Sequence, residues 1–124
     1  MIQLDTSFLI RALIQGTRED RALRRWLEEG EEIAMSSIAW TEFLCGPVDA
    51  AAAAAVDGLL TERLPYTEDD AARAAELFNA SGRRRGSLVD CIIAAVALRS
   101  AAPLATSNRA DFRPFEDAGL TLLP

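Results

Sequence analysis

Met1-Ile2-Gln3-Leu4-Asp5-Thr6-Ser7-Phe8-Leu9 begins the chain with a short apolar run, then an acid and two hydroxyls, then a new apolar pair. Residues 1–4 read as a buried strand, because the run is brief and stops at polar Asp5-Thr6-Ser7. From residue 8 to residue 15 the spacing becomes helical, with Phe8 above Ala12 and Leu9 above Leu13. A strand that hands over at once to a helix sets the pattern sought in the rest of the chain.

That alternation continues. Thr17 is placed to cap a second helix running to residue 29, with Ala22, Leu23, Trp26 and Leu27 as its buried stripe and Gly30 as its stop. Residues 32–35 read as a second strand. Ser36 and Ser37 are candidate caps for a helix carrying Ile38, Phe43 and Leu44, closed by Gly46-Pro47. An alanine-rich helix is expected over residues 49–61, since alanine is the best helix former. Residues 63–66 read as a third strand, and Pro65 removes a ladder donor, which assigns it to a sheet edge. Thr67-Glu68-Asp69-Asp70 has the form of a capping box before a helix that ends at Gly82, with Ala71, Ala74, Ala75 and Phe78 inward. Ser87 is expected to cap the next helix. Residues 91–98 are apolar all round, so this helix should be central. Residues 103–106 and 120–123 supply the last two strands. Short strands alternating with helices imply an α/β fold, a mainly parallel sheet covered on both faces.

A length of 124 residues suits a single domain over 1–124, and with half the residues hydrophobic there is material for a real core. No apolar stretch is long enough to cross a bilayer, and the first residues lack a signal-peptide pattern, so a soluble cytoplasmic protein is expected. Cys45 and Cys91 both lie in apolar surroundings and read as buried small hydrophobes. Histidine is absent, and all 13 basic residues are arginine. Histidine triads and histidine-ligated zinc are therefore excluded, and no phosphate-binding loop motif occurs. A net charge of −6 argues against broad electrostatic binding of nucleic acid. It leaves room for a cation-mediated contact.

Open parallel sheets bind ligands beyond the carboxyl ends of their strands. Asp5 closes the first strand. Thr106, Ser107, Asn108 and Asp111 follow the fourth. Glu42 and Asp90 lie on helices that begin near the same edge. Each acid alone has a plainer role: Asp5 as a cap, Glu42 as a solvated helix residue, Asp90 as a first-turn acid, Asp111 as a turn cap. Together they pose an electrostatic problem. Two carboxylates ~4 Å apart repel by about 1 kcal/mol in water and about 4 kcal/mol at an effective dielectric near 20. A cluster must raise some of its pKa values or recruit a cation. With no histidine or lysine available, oxygen-bound Mg²⁺ or Mn²⁺ is the natural partner, and such ions commonly bridge to phosphates.

Four segments in order carry a family resemblance: Leu4-Asp5-Thr6-Ser7-Phe8-Leu9, Thr41-Glu42-Phe43-Leu44, Ser87-Leu88-Val89-Asp90-Cys91-Ile92-Ile93-Ala94-Ala95, and Thr106-Ser107-Asn108-Arg109-Ala110-Asp111-Phe112. The sequence resembles a PIN-domain protein of the VapC toxin type over essentially its whole length. The resemblance implies a three-layer sandwich around a five-stranded parallel sheet of order 3-2-1-4-5. It implies that Asp5, Glu42, Asp90 and Asp111 ligate Mg²⁺ or Mn²⁺ directly or through water, supported by hydrogen bonds from Thr6, Ser7, Thr106 and Asn108. It further implies endonucleolytic cleavage of RNA to 5′-phosphate and 3′-hydroxyl ends, with tRNA or rRNA as substrate. A homodimer and a small VapB-type antitoxin partner also follow from it. Some relatives carry another acid where Asn108 stands, which leaves open whether Asp111 is a direct ligand and whether a second metal is held.

Arg83-Arg84-Arg85, between Gly82 and Gly86, is either a solvated loop or a phosphate grip beside the acids; Arg109 and Arg113 share that second reading. Trp26, Trp40 and Tyr66 are candidates for base stacking, though apolar helix faces assign the two tryptophans to core or dimer packing. A phospho-accepting receiver domain also joins acids, Mg²⁺ and a parallel sheet, but it relies on a lysine this chain lacks. A PIN domain used only for binding, and a PIN nuclease of RNA processing, stay open as alternatives.

Overall fold

The computed structural model describes residues 1–123. Its centre is β1 (Ile2–Leu4), a strand whose three residues are all buried. The chain leaves it through α1 (Thr6–Ala12) and α2 (Arg18–Glu28) and returns as β2 (Ile33–Ser36), which pairs parallel to β1. It then passes through α3 (Ser37–Cys45) and α4 (Ala50–Leu59) to β3 (Glu62–Leu64), parallel to β2. Two long helices, α5 (Glu68–Ala80) and α6 (Leu88–Arg99), carry it back across to β4 (Leu104–Ala105), on the other side of β1. A short helix α7 (Arg109–Phe112) and a 3₁₀ turn (Arg113–Ala118) lead to β5 (Leu122–Leu123). The sheet is all parallel, in the order β3-β2-β1-β4-β5. The chain reverses its direction of travel between β1 and β4. Beyond the carboxyl ends of those two strands a crevice opens, where sheets of this type hold their ligands.

Local sequence explains where most helices begin. Thr17 accepts from the Asp20 amide, Ser36 from Ala39 and Asp49 from Ala52, each satisfying a backbone donor that a helix start leaves free. Thr67 and Asp70 form a reciprocal capping box, and the buried Asp70 also receives Arg99 Nε at 2.9 Å. The start of α5 is thus bound to the end of α6. Phe8 and Leu9 of α1 are fully buried, with Phe8 stacked on Trp26 of α2 at 5.4 Å between ring centroids. Helix α6 is the central one expected: Cys91, Ile93, Ala94, Ala95, Val96 and Ala97 are buried, and its alanines let α5 approach closely.

Several local expectations are corrected. Helix α1 starts at Thr6, because Asp5 is its cap. Strand β3 ends at Leu64, so Pro65 lies just past the edge strand it was expected to join. Helix α5 stops at Ala80, two residues before Gly82. Ser87 makes no side-chain cap; its hydroxyl donates instead to the Arg84 carbonyl at 2.7 Å, drawing the preceding loop onto the helix start. Cys91 is buried, but Cys45 is exposed, since it ends α3 on the face turned from the core. No helix among the described residues is long and apolar enough to cross a membrane.

Candidate active site

Asp5 sits at the carboxyl end of β1 and is almost fully buried. Its amide donates to the Ala105 carbonyl of β4, which places it at the β1–β4 reversal. Its carboxylate accepts the Phe8 amide (2.8 Å), the Ser7 hydroxyl (2.8 Å to Oδ1) and the Thr106 hydroxyl (2.6 Å to Oδ2). Asp5 is therefore a helix cap and a site residue at once. Burial pushes its pKa above the usual carboxylate range, opposed by these hydrogen bonds from Thr106, Phe8 and Ser7.

The remaining acids come from three helices. Glu42 on α3 receives the Thr6 hydroxyl at 3.3 Å, and Thr6 also donates to the Ala39 carbonyl at 2.9 Å. Burial raises the Glu42 pKa; the Thr6 bond lowers it and the charge on Asp5 raises it further. Asp90, in the first turn of α6, is half-buried, and its pKa is pushed up to about 6. Burial is the largest cause, followed by the charges of Asp111, Glu42 and Asp5, with Arg84 acting in the opposite sense. Asp111 lies on α7, half-buried, with its Oδ1 3.4 Å from Arg84 Nη1. The charges of Asp111, Glu42 and Asp5 thus all act on Asp90, and that of Asp5 also acts on Glu42, at one edge of the sheet.

Hydroxyls and amides lock this edge together. Thr106 Oγ1 accepts from the Asn108 amide at 3.0 Å, and the Ser107 amide donates to Ser7 Oγ at 3.1 Å. Asn108 itself is exposed and contributes its backbone, not a side-chain cap. Sequence reasoning missed Glu19. This acid is buried in the first turn of α2, where it receives the Ser107 hydroxyl at 3.1 Å and Arg11 Nε at 3.2 Å. Burial would raise its pKa, but its own backbone amide, Ser107, Arg11 and Arg18 outweigh that and hold it low. Beside Arg18 and Asp20, Glu19 looks in sequence like any acid favoured at a helix start, so no local signal marked it.

The candidate RNA-binding arginines separate. Arg84 reaches Asp111, whereas Arg83 lies over the Phe78 ring and pairs with Asn79 on α5. Arg85 is exposed and Arg109 half-buried. Of the aromatics, Trp26 is core and Trp40 packs on Phe43 beneath Arg63, while Tyr66 is exposed.

The donor set is entirely hard oxygen, which suits Mg²⁺ or Mn²⁺. Among the described residues no three acidic, histidine or cysteine side chains converge tightly enough to enclose an ion by themselves. An ion here would keep much of its water, as Mg²⁺ habitually does.

An all-parallel 3-2-1-4-5 sheet covered by helices defines the PIN-like class of α/β fold. Residues 2–117 match the PIN domain family model, and the chain belongs to that family of nucleases. No curated protein matches the sequence. A toxin–antitoxin complex from Klebsiella pneumoniae is 29% identical over 90% of this chain and 90% of its own, with a TM-score of 0.70. VapBC2 from Rickettsia felis, bound to a DNA fragment from its promoter, shares the fold at 22% identity, covering 99% of this chain and 98% of its own, with a TM-score of 0.75. VapC20 from Mycobacterium tuberculosis, a toxin that cleaves the sarcin–ricin loop, does so at 22% identity, 98% and 97% coverage, and a TM-score of 0.69.

Proposed function

We propose that residues 1–124 form a single PIN-like domain acting as a Mg²⁺- or Mn²⁺-dependent endoribonuclease, the toxin of a VapBC-type pair. The observation that carries this reading is the negative charge of Asp111, Glu42 and Asp5 acting together on half-buried Asp90 beside the β1–β4 reversal. Such a cluster is costly unless a cation compensates it. Asp5, Glu42 and Asp90 would hold the ion, with Asp111 completing the site. When bound, Mg²⁺ or Mn²⁺ supplies the Lewis acidity that activates a water and neutralises charge on the leaving oxygen of a phosphodiester. The chain's own part is orientation. Ser7 and Thr106 fix the Asp5 carboxylate, Thr6 steers Glu42, and the Asn108 amide holds Thr106 in place. Arg84, Arg85 and Arg109 are the arginines left to meet RNA phosphates, since Arg83 is engaged on α5.

The toxin role and a small antitoxin partner draw on the structural neighbours, which include toxin–antitoxin complexes, and a cytoplasmic location, where tRNA and rRNA are met, goes with that role. Exposed Ile10, Leu13 and Ile14 around α1, with Leu27 of α2, supply apolar surface for such a partner or for a second copy in a homodimer. A structured RNA, tRNA or rRNA, is the proposed substrate class. A binding-only PIN domain is favoured by one observation, the lack of three tightly converging ligands among the described residues. Cleavage of labelled RNA with Mn²⁺, by wild type, Asp5→Asn and Asp90→Asn, separates the two. Mn²⁺-dependent cleavage lost in both variants is expected; full activity in both would refute the assignment.

A further inference from the structure

The loop between α5 and α6 carries three consecutive arginines, and its backbone sends the first two in opposite directions. Gly82 (φ 90°) and Arg83 (φ 56°) both adopt left-handed backbone, rare for a residue with a side chain. That turn folds Arg83 back on Phe78 and Asn79. It leaves Arg84 facing the acids, 3.4 Å from Asp111. The backbone of Arg84 is held as well, its carbonyl accepting both the hydroxyl (2.7 Å) and the amide (3.2 Å) of buried Ser87. Ser87 immediately precedes α6, the helix that carries Asp90. The guanidinium remains half-exposed, with a side chain 52% accessible, free to change partner without disturbing the core.

Building on the nuclease reading above, we propose that Arg84 is a resident counter-ion of the acidic site. It neutralises Asp111 while no divalent ion is held, and exchanges Asp111 for a phosphate oxygen of the RNA when an ion takes its place. A guanidinium and a divalent cation on one carboxylate repel each other, so the two compete. The planar fork of the displaced arginine matches a phosphate, and the loop already aims it at the crevice.

The test combines a binding and a kinetic readout. Mn²⁺ is titrated calorimetrically, without RNA, into wild type, Arg84→Gln, Arg84→Lys and Arg73→Gln. The last removes an equal charge from the exposed Arg73–Glu76 pair of α5. Arg84→Gln is expected to bind Mn²⁺ about two- to fivefold tighter, the size of a partly exposed ion pair. At saturating Mn²⁺ its KM for RNA should rise about tenfold, as for loss of a charge-assisted hydrogen bond. Arg84→Lys should keep wild-type Mn²⁺ affinity but recover only part of the KM, and Arg73→Gln should match wild type in both. Unchanged or weaker Mn²⁺ binding by Arg84→Gln, with wild type binding normally, overturns the counter-ion role and leaves the nuclease reading standing. An unchanged KM overturns the phosphate contact. A wild type with neither Mn²⁺ binding nor Mn²⁺-dependent cleavage removes the nuclease reading itself, and this proposal with it.

Discussion

Replacing Asp90 with asparagine should stabilise the ion-free protein, and by an amount that depends on pH. The folded-state pKa of Asp90 is raised from 3.8 to about 6, first by burial and then by the charges of Asp111, Glu42 and Asp5. Between those two values the folded state binds more protons than the unfolded chain. Stability therefore falls as pH climbs from about 4 through 6, and the full penalty is present above the folded value. For a fully buried group a rise of that size would correspond to roughly 3 kcal/mol. Asp90 is only half-buried, and solvent screening reduces that to about 1–2 kcal/mol. For a domain of this size the gain appears as about 3–8 °C in melting temperature. We predict that Asp90→Asn unfolds at higher urea than wild type at pH 7.5 in EDTA, with the advantage nearly gone at pH 4. Adding Mn²⁺ should reverse the order, because wild type gains binding energy that the variant has lost. An advantage that is absent at pH 7.5, or equally large at pH 4, would refute the claim that a buried negative charge crowded by others is the cost at this site.

Two further predictions probe the scaffold. Thr106→Val removes the 2.6 Å hydrogen bond to buried Asp5 and should cost about 1–3 kcal/mol, read as a lower urea midpoint at neutral pH. If the midpoint stays unchanged, the bond does not hold Asp5 in place. Phe8→Ala opens a cavity beside Trp26 and should cost about 3–5 kcal/mol. Ile10→Ala, two residues on and exposed, should change stability by no more than about 0.5 kcal/mol. Equal losses in the two would mean that α1 does not pack on the face described.

The order of strands and helices was legible in the sequence, because burial patterns and caps are written over a few residues. Thr67 needs only Asp70 to form its capping box, and residues 1–4 announce a strand by their own apolarity. The four acids were also legible as candidates, by their place after strands or on helices that begin near the same edge. What tertiary structure alone decided is how distant residues meet. The bond from Thr106 to Asp5 spans 101 positions and that from Arg84 to Asp111 spans 27, and no local periodicity encodes either. Both depend on how α5 and α6 carry the chain back across the sheet. The same holds for Glu19, ordinary in sequence but buried beneath Ser107, and for Cys45, apolar in its neighbours yet exposed. Nearest neighbours set each segment's conformation, while packing across the β1–β4 reversal sets which charges share a space and which stay in solvent.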